Sequence, residues 1–296
     1  MCSVVKLFKQ FPTEQSCIVF LEKIRWKDGV FCTYCGSVKT SKHNTTTLET
    51  RSGRRFQCQD CKKSFSVTVG TIFHRTHLDL RKWFWIISIM LNAKKGVSAC
   101  QVSRELEIRR PTVWALMHKI RKALATEQGE LLRGIFEMDE TYVNAKKDDD
   151  KNNNDKGGQG RSTKNNTPVI AFREKNGNLK AFVANDTTSA SLSEIIINNI
   201  EAGSELHTDE YNAYKFTRKF WKHKSVNHSL EYVSADGIHT NSVEGFWSLL
   251  KRGIKGNFHF VTKKYLENYV TEFEYRYNNR ENEFVFGDVL NRMLCI

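Results

Sequence analysis

Ile135-Phe136-Glu137-Met138-Asp139-Glu140-Thr141-Tyr142-Val143 decides how the C-terminal half of this chain is read. Its apolar, aromatic and β-branched residues predict a strand, yet Asp139 stands in the middle of it, and carboxylates are depleted within strands. The acid therefore calls for a chemical explanation. Downstream, residues 169–172 and 180–183 read as two further strands and 191–200 as a helix. Glu205-Leu206-His207-Thr208-Asp209 reads as another strand that ends in a second acid, 70 residues after Asp139. Residues 241–252 read as a helix carrying Glu244, 35 residues after Asp209. Strands, a helix and a strand, with acids at strand ends and on a helix, predict a mixed sheet flanked by helices.

Taken one at a time, each acid reads as a surface charge or half of a helix salt bridge. Together, Asp139, Asp209 and Glu244 are hard oxygen donors suited to Mg2+ or Mn2+. Three converging carboxylates can hold two such ions about 4 Å apart, which activate a nucleophilic oxygen and stabilise the leaving oxygen of a phosphodiester. Lys251 follows Glu244 by seven residues and so lies two turns along the same helix face, where a cation would meet a DNA phosphate. Asn241, one turn before Glu244, shares that face.

Of the eight cysteines, four are organised. Cys32 and Cys35 form one C-x-x-C knuckle, and Cys58 and Cys61 form a second after 22 intervening residues. That spacing predicts a zinc ribbon in which four thiolates hold one structural Zn2+. Gly36 supplies a tight turn, and residues 45–49 and 54–57 are expected as short strands joined at Ser52-Gly53. Disulfides and a redox C-x-x-C are the alternatives; an intracellular chain and a paired knuckle argue against them. Cys2, Cys17, Cys100 and Cys295 are expected to be reduced and mostly buried. The ribbon is densely basic. Arg54, Arg55, Lys62 and Lys63 are candidate phosphate contacts, with a solvated basic face as the plain alternative.

Between ribbon and acids, residues 80–93 read as a helix with Trp83, Ile86, Ile87, Met90 and Leu91 at core spacing. Ser98 caps a short helix, 99–106, and a turn at 107–110 leads to Pro111 in the first turn of a helix over 112–124. Two short helices with a tight turn resemble a helix-turn-helix, though any helical hairpin shares the pattern. Arg104, Arg109, Arg110, Lys119, Arg121 and Lys122 would then face DNA. Residues 144–166 are almost wholly polar and are expected to be a disordered loop, with Asp148, Asp149, Asp150 and Asp155 as solvated charge.

Bulk properties agree. The 296 residues carry 46 Lys and Arg against 33 Asp and Glu, a net +13 that favours a polyanionic partner. No run approaches the ~20 apolar residues needed to span a bilayer, so no membrane association is expected. The N-terminus lacks a signal-peptide pattern. An intracellular location follows, the nucleus or the bacterial cytoplasm.

These residues carry a resemblance. Cys32-Thr33-Tyr34-Cys35-Gly36, Cys58-Gln59-Asp60-Cys61, Phe65-Ser66-Val67 and Gly70-Thr71-Ile72-Phe73 resemble the zinc-ribbon start of Merlin-type transposases and their bacterial insertion-sequence relatives. Met138-Asp139-Glu140-Thr141-Tyr142-Val143 resembles the family's first catalytic block, and Thr208-Asp209-Glu210-Tyr211-Asn212-Ala213-Tyr214 the second. The third, and most specific, is His239-Thr240-Asn241-Ser242-Val243-Glu244-Gly245-Phe246-Trp247-Ser248-Leu249-Leu250-Lys251-Arg252. Phe273-Glu274-Tyr275-Arg276-Tyr277-Asn278-Asn279-Arg280 resembles the closing helix. The resemblance implies an RNase H-like core in which Asp139, Asp209 and Glu244 form the acidic triad. Some bacterial relatives place Asn in the third role, which leaves Asn241 beside Glu244; Glu244 is preferred because only a carboxylate adds negative charge for the metals. The Asn-rich insert departs from the shorter, basic loop the family leads one to expect.

The expectation is an α+β multidomain protein: residues 1–75 a zinc ribbon with an N-terminal extension, 76–128 a helical DNA-binding segment, 129–296 an RNase H-like mixed α/β catalytic domain. The expected activity is metal-dependent cleavage of double-stranded DNA at terminal inverted repeats and strand transfer into target DNA, by a homodimer or larger assembly. The alternatives are a domesticated, catalytically silent DNA-binding relative, a different RNase H-like nuclease, and a zinc-ribbon transcription factor.

Overall fold

A computed structural model describes residues 4–42, 55–125, 131–146, 166–175, 177–209, 221–226 and 241–294. Two units emerge. The first comprises Met1–Ala93, Val97–Leu124 and Glu281–Ile296; the second comprises Lys94–Gly96 and Ala125–Arg280.

The first unit opens with α1 (Val4–Gln10) and α2 (Glu14–Arg25). Thr13 and Ser16 form a reciprocal capping box that satisfies orphan N–H groups at the start of α2. Three short antiparallel strands follow in the order β1 (Thr40–Lys42), β2 (Phe56–Cys58), β3 (Ser64–Phe65). Phe56 and Phe65 stack at 5.7 Å, with Trp26 edge-on to Phe56 at 5.0 Å, so aromatic contacts supply the small core of the ribbon. The strand expected over 54–57 lies slightly later, ending at Cys58; residues 45–49, with Ser52, Gly53 and Arg54, lie outside the described residues.

Helix α3 (Leu80–Asn92) starts at Asp79, whose carboxylate accepts from the Arg81 N–H at 2.8 Å. Its apolar stripe packs on α1, α2, α5 and α9. Helix α4 (Ala99–Leu106) is capped by Ser98, as expected, and ends at Glu107 in the left-handed region with φ 53°. A three-residue turn leads into α5 (Arg110–Leu124). The C-terminal helix α9 (Val285–Leu294) buries Val285, Phe286, Val289, Leu290, Met293 and Leu294 against α2, α3 and α5. Sequence reading groups this helix with the acidic region, but its apolar face completes the core of the first unit. Phe84 bridges Phe11 at 4.9 Å and Phe286 at 5.5 Å.

The second unit is built on β4 (Ile135–Lys146), β5 (Asn166–Glu174), β6 (Leu179–Val183), β7 (Glu205–Asp209) and β8 (Lys222–Val226), in the order β6-β5-β4-β7-β8. The first three strands are mutually antiparallel, while β7 and β8 run parallel to β4. This is the RNase H-like arrangement. One face carries Phe136, Met138, Ile170, Phe172 and Leu206 and is covered by α6 (Ser189–Ile197) through Leu192 and Ile196. The other carries Val143, Val169 and Ala171 and is covered by α7 (Asn241–Gly253) and α8 (Lys263–Asn278). Alternation along β4 divides the two cores, because successive side chains point to opposite faces.

Helix α7 continues into a π-helical turn, Ile254–Phe258, and then β9 (Val261–Thr262), which pairs with Ala145 and Lys146 at the end of β4. Asn257 Nδ2 donates to the carbonyls of Lys95 and Gly96 at 2.7 and 3.0 Å. On α8, the Glu274 carboxylate accepts from the Ala181 N–H at 2.9 Å. Asn278 both donates to and accepts from the Leu179 backbone at 2.8 Å. These side chains occupy the open edge of β6, which would otherwise present unpaired backbone groups. Glu272 and Arg276, one turn apart on α8, form a buried ion pair. Among the described residues, no helix is long and apolar enough to cross a membrane.

Candidate active site and metal centre

The four knuckle cysteines converge. One ligand sulfur from each of Cys32, Cys35, Cys58 and Cys61 lies within 4.8 Å of the others, and the Cys32–Cys61 and Cys35–Cys58 sulfurs are 3.6 Å apart. A tetrahedral ion with Zn–S bonds of ~2.3 Å sets its ligands ~3.8 Å apart, so four thiols grouped this closely fit zinc in number and kind. Backbone N–H groups of Tyr34 and Cys61 point at the sulfurs of Cys32 and Cys58, at 3.4 and 3.5 Å. Backbone N–H groups of Cys61 and Asp60 lower the Cys58 thiol while the coupled Cys35 thiol is raised, so Cys58 is the sulfur that the backbone favours as a thiolate. The scattered cysteines divide: Cys17 is buried and its thiol pushed up to about 12 by that burial, whereas Cys100 is exposed, contrary to expectation. Cys2 and Cys295 lie outside the described residues.

The acids occupy the face of the sheet beneath α7. Parallel register pairs Ile135 with Glu205 and Glu137 with His207, so Asp139 and Asp209 come next, level with each other and on one face. Asp139 is pushed up to about 7, chiefly by burial, then by the charges of Glu140 and Asp209, with the Trp247 indole acting against them. Trp247 Nε1 donates to Asp139 Oδ2 at 3.0 Å. A half-buried carboxylate beside like charges is one that a divalent cation would relieve, and its oxygens are hard donors; the residues fit Mg2+ or Mn2+ in kind.

Glu244 lies in the first turn of α7, exposed, three residues before Trp247, while Val243, Phe246, Trp247 and Leu250 are buried. Helical geometry puts Asn241, Glu244 and Lys251 on the exposed flank of that buried stripe. The structure thus brings Asp139 and Asp209 level on adjacent strands and ties the helix of Glu244 to Asp139 through Trp247. The three carboxylates do not gather as the cysteines do: the four thiols are the one metal-ligand group of three or more found among the described residues.

Sequence reading missed two residues here. Glu137, two positions before Asp139 on the same face, accepts from the Ser242 N–H at 3.1 Å and lies 3.8 Å from Arg173. Trp247 holds Asp139 directly. The available signal was the period of two along β4 and of three to four along α7.

The basic candidates are surface groups with one exception. Arg55, Lys62, Lys63, Arg104, Arg109, Arg110, Lys119 and Lys122 are exposed, and Lys63 Nζ sits 4.9 Å over the Tyr34 ring. Arg121 is buried, contrary to expectation, because it falls beside Met117, Ile120 and Leu124 on the inward face of α5. Arg54 and residues 147–165, including Asp148, Asp149, Asp150 and Asp155, lie outside the described residues, as do Glu210 to Tyr214.

Residues 131–278, half of the 296-residue chain, match the ISXO2-like transposase domain, and residues 12–64 match the transposase zinc-ribbon domain. The chain is 26% identical over 283 residues to an uncharacterized protein in transposable element ISH50 of Halobacterium salinarum, covering 90% of this chain and 92% of that protein. It is 29% identical over 100 residues to an uncharacterized transposase-like protein of Haemophilus influenzae, covering 33% of this chain and 80% of the relative. Among solved structures, the Mos1 strand transfer complex aligns over 71% of this chain and 74% of its own, at 12% identity and a TM-score of 0.29. The simian T-cell lymphotropic virus intasome with the PP2A regulatory subunit B56 gamma aligns over 58% of this chain and 63% of its own, at 15% identity and a TM-score of 0.29.

Proposed function

The chain belongs to the ISXO2-like transposase family, and from that premise we propose that it cuts DNA at the terminal inverted repeats of a mobile element and joins the freed end to target DNA. One observation carries the reading: Asp139 and Asp209 lie level on adjacent parallel strands, and Trp247 of the helix that bears Glu244 bonds to Asp139, which stands at about 7 through burial and like charge. Half-buried acids held level on adjacent strands are costly unless something compensates them.

On this reading Asp139, Asp209 and Glu244 hold Mg2+ or Mn2+, which would supply a polarised phosphate and an activated oxygen for in-line displacement. Trp247 fixes one oxygen of Asp139 and so orients its carboxylate. Lys251, on the exposed flank of α7, meets a phosphate of the bound strand; Asn241 shares the flank and is the other candidate for the third role. The zinc ribbon and the helices α4 and α5 grip the repeat, through Arg55, Lys62 and Lys63 on the ribbon and Arg104, Arg109, Arg110 and Lys119 on the helices. Water first cuts the strand, and the 3′ hydroxyl so freed then attacks the target strand. Two element ends must be handled together, so the working form contains at least two copies.

The test is a cleavage assay on double-stranded DNA carrying the element's repeats, with Mg2+, comparing the wild type with Asp139→Asn. Cleavage at the repeat ends by the wild type alone supports the proposal. Binding by both and cutting by neither overturns it in favour of a silent DNA-binding relative.

A further inference from the structure

Helix α7 is fastened to β4 at two points. The Ser242 N–H donates to Glu137 Oε2 at 3.1 Å, and Trp247 Nε1 donates to Asp139 Oδ2 at 3.0 Å. The spacings match: five helical residues rise ~7.5 Å, and two strand residues span ~6.6 Å. The helix therefore runs along the strand, and Glu244 falls between the two fastenings. The first fastening is strong in kind. The opening N–H groups of a helix lack internal partners, and a carboxylate beside them is favoured by the helix dipole. Glu137 is buried, and the Arg173 guanidinium at 3.8 Å compensates its charge. Tyr277 donates its hydroxyl proton to the Ser242 carbonyl at 3.4 Å, so both backbone polar groups of Ser242 are held by side chains of neighbouring elements.

We propose that Glu137 is a positioning residue of the catalytic site: it seats the first turn of α7 on β4 and so sets where Glu244 stands relative to Asp139 and Asp209. It touches neither DNA nor metal. The inference rests on the metal-dependent reading above, and it makes a demand that a plain ion pair does not. The length of the Glu137 side chain matters more than its charge.

Two variants separate these roles. Glu137→Gln keeps the reach and an oxygen acceptor for the Ser242 N–H but loses the charge toward Arg173. Glu137→Asp keeps the charge but is one methylene short. Each is made in the full chain and compared with wild type and with Asp139→Asn. Mn2+ affinity is read by electron paramagnetic resonance without DNA, and turnover and half-saturating DNA by cleavage. Loss of an outer-shell partner weakens metal affinity or activity about 10–100-fold. The expected result is Mn2+ affinity down at least about tenfold in Glu137→Asp, turnover down in step and half-saturating DNA unchanged, with Glu137→Gln near wild type. The reverse order, Glu137→Asp intact and Glu137→Gln impaired, overturns the inference in favour of an Arg173 ion pair. Two variants indistinguishable from an Mn2+-binding wild type overturn it as well, leaving the transposase reading standing. A wild type that binds Mn2+ no better than Asp139→Asn overturns both.

Discussion

Replacing Glu274 by Gln should make the second unit more stable at neutral pH and leave it unchanged in acid. Glu274 lies on α8 with its carboxylate against the edge of β6, accepting from the Ala181 N–H at 2.9 Å. Burial pushes it from an ordinary 4.5 to about 7, with the Ala181 N–H and Lys180 only partly opposing. The folded state therefore holds a proton that the unfolded chain has released between these values, and stability falls as pH rises through that window. At about 1.4 kcal/mol per tenfold change in proton affinity, the whole effect is worth up to roughly 3 kcal/mol above pH 7. Gln keeps the oxygen that Ala181 needs and removes the titrating proton. Thermal and urea unfolding of both full chains from pH 4 to pH 8 reads the difference. The curves should coincide below about pH 4.5, separate through the window and level off above about 7. The Gln protein should then be about 2–3 kcal/mol more stable, or roughly 5–10 °C for a unit of this size. A gap that is constant with pH, or a Gln protein that is weaker at pH 8, would refute the reasoning.

Gly253 allows no side chain: a Cβ there would stand 2.6 Å from the Lys95 carbonyl oxygen and press on the Phe273 ring. Gly253→Ala should cost about 1–3 kcal/mol by overpacking, seen as a lower unfolding midpoint; an unchanged midpoint would show that the two backbones part easily. Purified protein should contain one zinc per chain by elemental analysis, and Cys58→Ser should lose it, with amide protection collapsing over β2 and β3 while the second unit keeps its protection. Full protection of β2 and β3 without zinc would show that the aromatic trio alone holds the ribbon.

Much of this was legible where local chemistry dictates the outcome. Ser98 and the apolar spacing fix α4 at both ends, and the β-forming run of β7 has the bounds read from its residues. The cysteine spacing alone assembles the metal centre. The site was half legible: residue type and position in predicted elements single out Asp139, Asp209 and Glu244. That Asp139 lies level with Asp209 follows only once β4 and β7 pair in register. Glu137 and Trp247 escaped notice because their roles depend on how a helix lies along a strand, a tertiary fact with no local signature. Strand β8, Lys222–Val226, was missed because Lys-His-Lys-Ser-Val has no apolar alternation; it is a strand because β7 offers it an edge. The amphipathic pattern of α9 says that one face is buried but not against what, and so its place beside α2, α3 and α5 could not be read.

The most direct test of the central claim is Mg2+-dependent cleavage of DNA bearing the element's terminal repeats, with the wild type beside Asp139→Asn at equal DNA occupancy. The account predicts cuts at the repeat ends by the wild type and none by Asp139→Asn, although both bind. Equal cutting by the two proteins, or binding without cutting by the wild type, would contradict it.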